Sequence, residues 1–160
     1  MSRVITDSVI QMSTDIGIVV NPTKHPDLIL QKLGEDQVSF YVGPGKRPSQ
    51  NFRTGSAVLI CDPVLYQTQD LTKKLKRKGI KYSRLLPSSN LEVVSHLTMS
   101  GAGIGVIPGR VAKFMGQGQL KKVPNAPSYK DEIYVAYRLE NKSVTAIKYL
   151  VDQIKASFKD

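Results

Sequence analysis

Ser88, Ser89 and Asn90 stand directly before an apolar-periodic segment that ends at Gly101. A helix starting there presents unpaired backbone N–H groups and the positive end of its dipole, a seat suited to a carboxylate or phosphate. Ser89 and Glu92 have the S-x-x-E spacing of a capping box, which predicts a helix from about Asn90 to Ser100 with Leu91, Val94, Leu97 and Thr98 facing inward. The same residues are explained by a cap with no ligand. Nothing beside them does covalent chemistry. His25 and His96 lie far apart and, with one cysteine, make no metal signature. Asp15, Asp27, Asp62 and Glu92 have no spacing of paired acid–base carboxylates. No G-x-S-x-G, P-loop or zincin motif occurs, and GAGIG at 101–105 follows a helix rather than a strand, so it is a poor dinucleotide fingerprint. Cys61 reads as a small buried hydrophobe, with a redox sensor as the sharper alternative. The chain is expected to bind rather than to catalyse, with no cofactor.

The net charge of +10 favours anionic partners. Six cations, Lys73, Lys74, Lys76, Arg77, Lys78 and Lys81, crowd into KKLKRKGIK, which reads as one solvated helix face. A nucleic-acid patch would interleave aromatics, and only Tyr82 is near. At 160 residues the chain can form one domain or two small lobes. No apolar run is long enough to span a membrane, and the first residues lack the pattern of a signal peptide. With one cysteine no internal disulfide forms, which fits a reducing cytoplasm.

Elements alternate along the chain. RVITDSVIQM at 3–12 has helical spacing, with Ser2 as its cap, and DIGIVVNP at 15–22 is a buried strand ended by an Asn-Pro turn. DLILQKL stops at Gly34, and VSFYVGPG at 38–45 is a separate strand. AVLICDP at 57–63 is a strand, and Thr68 caps a basic helix closed by Gly79. IKYSRLL at 80–86, IGVIP at 104–108 and EIYVAYR at 132–138 are strands; 109–118 and 144–158 are helices. The order is α/β, in two groups, with mainly parallel sheets.

In this order DIGIVVNP, VSFYVGPGKRP, the AVLI strand, SSNLEVVSHLTMSGAGIGVIP, GQLKKV and EIYVAYR resemble the effector-binding domain of LysR-type transcriptional regulators. The helix followed by SGAGIGVIP carries most of the likeness. The resemblance implies a type 2 periplasmic-binding-protein-like fold of two lobes: lobe I at about 1–45 plus 119–160, and lobe II at about 46–118. The polar loop 46–55 and the segment 120–123 would carry the chain across. It further implies a cytoplasmic regulator that binds a small anionic metabolite between its lobes and forms a homodimer through lobe faces. The likeness begins in mid-lobe, so the first lobe is expected to be incomplete, with an exposed edge strand. DNA would be met only through an N-terminal domain absent here.

The same resemblance marks the site. Ser88, Ser89, Asn90 and Leu91 fall where the second lobe aims a helix N-terminus at the effector, and Gly103 lies on the following turn. Val20, Asn21 and Pro22 end a first-lobe strand, and Asp62 ends the first strand of lobe II, where open α/β sheets bind ligands. An Asn-Pro turn explains Asn21 and Pro22 without a ligand, and close packing explains Gly103. Two other functions remain open: a solute-binding protein for transport, and a basic nucleic-acid-binding module.

Overall fold

A computed structural model describes residues 2–45 and 55–158. The chain forms two compact units, one of residues 1–36 and 131–160, the other of residues 37–130.

In the first unit α1 (Ser2–Ile10) leads into β1 (Ile16–Val20), which pairs antiparallel with β7 (Tyr129–Arg138), Ile18 opposite Val135. Strand β2 (Leu28–Val42) lies on the other side of β7. Helix α1 packs closely on β1 because Gly17 has no side chain: a Cβ there would sit 2.6 Å from the Ile5 Cγ2. Strand alternation turns Val135 and Tyr137 to the opposite face, where Ile147 and Val151 of α5 (Thr145–Ser157) bury them. The expected stop at Gly34 does not occur. The strand runs through it because Gln31 donates to the Tyr137 hydroxyl at 2.6 Å and Lys32 pairs with Glu132 at 2.6 Å. Ser2 is the first residue of α1 rather than its cap, and its hydroxyl accepts from the Val20 N–H at 3.0 Å.

The second unit holds β3 (Val58–Cys61), α2 (Tyr66–Arg77), β4 (Arg84–Pro87), α3 (Leu91–Met99), β5 (Ile104–Pro108), α4 (Gly109–Gly116) and β6 (Lys121–Lys122). Strand β3 runs parallel to β4 and β5, while β2 is antiparallel to β5 and β6. The sheets are therefore mixed rather than mainly parallel. Both faces of the central strands are covered, which explains the unbroken apolar run IGVIP. On one side Leu59, Cys61, Ile104 and Val106 meet Leu71 and Leu75 of α2. On the other, Ile60 and Ile107 meet Val94 of α3 and Ala112 of α4.

Local signals read correctly at some helix ends and not at others. Gly79 takes φ 69°, and the Gly79 and Ile80 N–H groups return to the carbonyls of Lys76 and Leu75. This double bond pattern is the glycine-based stop expected of α2. Thr68 does not cap that helix; the capping position is Leu65, and Thr68 is buried one turn inside. Strand β4 begins at Arg84, four residues later than expected. Of the two expected crossings, 46–55 lies outside the described residues except for Gly55, and 120–123 lies inside the second unit; the chain passes from one unit to the other at 36/37 and 130/131.

Candidate functional site

In the first unit β1 ends in a polar corner. Asn21 adopts φ 48°, a left-handed conformation that asparagine tolerates better than most residues. Its side chain locks the corner to β7: Nδ2 donates to Asp131 at 2.7 Å, and Oδ1 accepts from the Glu132 N–H at 2.8 Å. Asp131 is buried, and the amide is one of the partners that offset the cost of burying its carboxylate. Beyond this lock lies a cavity of about 370 Å³, whose wall includes Arg3, Thr6, Asn21, Pro22, Lys24 and His25. The first turn of α1 and the end of β1 meet at this cavity, the place where open α/β sheets present helix donors to ligands. Arg3 and Lys24 have no ion-pair partner among the described residues, and Asp7 is the one carboxylate in the wall. Val20 is held beside it through the Ser2 hydroxyl.

In the second unit the parallel strands β3 and β4 end together, Cys61 opposite Pro87, and the Ser88 N–H donates to the Cys61 carbonyl at 3.0 Å. Asp62 and Ser88 thereby become neighbours at the carboxyl end of the sheet. The Asp62 carboxylate accepts from the Val64 N–H at 3.0 Å and so turns the chain into α2. The cap of α3 is Asn90, not Ser89: its Oδ1 accepts from the N–H groups of Glu92 at 2.8 Å and Val93 at 3.3 Å. The Ser88 hydroxyl accepts from the Asn90 N–H at 3.3 Å. The N–H groups of Asn90, Glu92 and Val93 are thus already used, the first of them expected to face a ligand, while the Ser89 hydroxyl stays exposed at the head of the helix. Leu91 is half-buried there.

Gly103 does not join this group. It lies at the amino end of the parallel strands, where a Cβ would sit 2.5 Å from the Val58 carbonyl oxygen. Close packing of two backbones accounts for it. His96 is exposed on α3. Cys61 is buried, and burial pushes its thiol up to about 11, with the Asp62 charge adding to the effect. A thiol so placed is a packing group. Among the described residues no group of His, Cys, Asp and Glu could hold a metal ion, and no helix is long and apolar enough to cross a membrane.

The cavity wall holds Asn21 and Pro22, which the sequence singled out, beside Arg3, Thr6 and Lys24, which it did not. The signal was present in part: Arg3, Thr6 and Ile10 recur at helical spacing on the one face of α1 that meets the Asn-Pro turn.

The family model of the LysR substrate binding domain matches residues 1–159. No curated protein matches the chain. Among solved structures it is similar to the regulatory domain of HypT from Salmonella typhimurium, with 15% identity and a TM-score of 0.76 over 94% of this chain and 77% of that one. The regulatory domain of Synechocystis CcmR in complex with 2-PG gives 15% identity and a TM-score of 0.75 over 99% of this chain and 80% of that one. The regulatory domain of MetR, a LysR family regulator from N. meningitidis, gives 20% identity and a TM-score of 0.65, covering 94% and 73%.

Proposed function

Because this chain belongs to the LysR substrate-binding-domain family, a ligand-sensing regulatory domain, we propose that it senses a small anionic metabolite, with one candidate corner in each unit. One is the cavity beside Asn21 and Pro22. The other is the head of α3 with Ser88, Ser89, Asn90, Leu91 and Asp62. The observation that carries the reading is the first cavity, where the unpaired cations Arg3 and Lys24 face one carboxylate, Asp7, beside the first turn of a helix. Of the solved relatives, CcmR was captured with 2-PG.

At the second corner the ligand meets the Ser89 hydroxyl and the Leu91 N–H, since Asn90 already satisfies the next two donors. Asp62 sets a limit on charge there, because a carboxylate beside Ser88 disfavours a second negative group close by. The reading assigns no catalytic residue and no cofactor. It places the domain in the cytoplasm as part of a homodimer and leaves DNA contact to a separate N-terminal domain. For the domain to act as a switch, the metabolite must favour one arrangement of the protein over another; equal affinity for both shifts nothing.

A thermal-shift screen of small organic acids and amino acids tests the reading, because a ligand that binds only the folded state raises its apparent stability. An acid that raises the unfolding midpoint of the parent chain should raise it much less in Arg3→Gln/Lys24→Gln. A hit whose shift is unchanged in that variant would show the cavity to be misassigned.

A further inference from the structure

A second cavity, of about 460 Å³, opens at the C-terminal end of α2 and is lined by Thr72, Lys73, Lys76, Ile80, Lys81 and Tyr82, together with Gly79. Its size is that of a small-ligand site. It lies at the far end of the parallel strands from Asp62 and Ser88, since α2 runs back from the carboxyl end of β3 and residues 79–82 lead into β4.

Three lysines share its wall, and none of them has an acidic partner among the described residues. Two other lysines at the same helix end behave differently. Lys74 pairs with Asp70 at 2.6 Å and stands 5.5 Å from the centre of the Tyr129 ring. Lys78 donates to the Asn125 carbonyl at 3.4 Å. Capping the helix does not explain Lys73, Lys76 and Lys81 either. The carbonyls of Lys74, Leu75 and Lys76 are already taken by the backbone N–H groups of Lys78, Gly79 and Ile80. Like charges around one concave surface repel each other, and an anion among them removes that cost. Beside the cations the wall is apolar: Ile80 is half-buried, and Tyr82 keeps 36% of its surface exposed.

We propose that this cavity binds a small organic polyphosphate of the nucleoside diphosphate class. Its phosphates lie on Lys73, Lys76 and Lys81, and its ring lies against Tyr82 and Ile80. The helix, its glycine stop and the first residues after it form one preorganised support, so the ammonium groups need little ordering beyond their own side chains. The site is separate from the proposed effector corners, and its failure would leave that reading untouched.

Calorimetric titration of the chain with adenosine diphosphate, and separately with inorganic pyrophosphate, tests the proposal. Adenosine diphosphate should bind one per chain, pyrophosphate should compete more weakly, and both should weaken as salt rises. Lys73→Gln/Lys76→Gln/Lys81→Gln should lower the affinity for both by about tenfold or more. Tyr82→Ala should weaken adenosine diphosphate while sparing pyrophosphate. Lys148→Gln, on the exposed side of α5, should change neither. The substituted side chains are exposed, so the ligand-free unfolding midpoint should stay put. The proposal fails if adenosine diphosphate does not bind, if the triple variant keeps full affinity, or if duplex DNA binds through the same lysines without competition from adenosine diphosphate.

Discussion

The Asn21 side-chain amide donates to the buried Asp131 carboxylate at 2.7 Å, joining the end of β1 to the start of the first-unit part of β7. The same side chain accepts from the Glu132 N–H at 2.8 Å, and its backbone sits at φ 48°. Asn21→Ala therefore loses two hydrogen bonds, one of them to a buried carboxylate, and leaves alanine in a left-handed conformation. The expected loss of stability is about 3 kcal/mol in urea unfolding. Asn21→Gly removes the bonds and keeps the backbone relaxed, so it should cost measurably less. Equal costs for the two would show that the left-handed backbone contributes nothing.

The head of α3 separates two residues that local pattern confuses. Asn90→Ala removes the acceptor for the Glu92 and Val93 N–H groups and should destabilise by about 1 kcal/mol. Ser89→Ala should fall within about 0.5 kcal/mol of the parent, as for an ordinary surface change. The capping assignment is wrong if the order is reversed.

Two glycines two positions apart should respond differently to alanine. At Gly43 a Cβ would sit 2.5 Å from the carbonyl oxygens of both Thr98 and Met99, backbone atoms that cannot move cheaply. Gly43→Ala is expected to cost about 3 kcal/mol. Gly45 has φ 72° and open space around it, so Gly45→Ala meets only the conformational penalty, about 1 kcal/mol. Thermal unfolding followed by circular dichroism compares them directly.

Cys61 makes a pH prediction. Burial raises its thiol from an ordinary value of 9.0 to about 11 in the folded state. Between these values the unfolded chain gives up the proton and the folded chain keeps it, so the unfolded state binds fewer protons there. Stability from this group is full below about pH 9 and declines as pH rises toward about 11. Cys61→Ala should show a flatter decline over that window, and the parent thiol should react with a disulfide reagent at pH 8 only after denaturant is added. Rapid labelling of the folded chain would contradict the buried, protonated thiol.

Elements with self-contained patterns were legible in the sequence. Strand β5 is an apolar run because α2 covers one of its faces and α3 and α4 the other, and α5 carries its stripe of Ile147 and Val151 on one side. Features that depend on distant partners were not. Gly34 looks like a stop until Gln31 and Lys32 find Tyr137 and Glu132, about a hundred residues away. Thr68 looks like a cap until tertiary burial claims it. Asn21 and Pro22 announce a turn by their types alone. The cavity wall they share with Arg3 and Lys24 forms only because Gly17 lets α1 settle onto β1.

The central claim is that an anionic metabolite seats in the first-unit cavity beside Asn21 and Pro22, and amide chemical shifts read that directly. On adding an acid that stabilises the chain, the amides of Asn21 to His25, excepting Pro22, should shift. Shifts confined to residues 72–82, or absent from residues 21–25, would contradict the assignment.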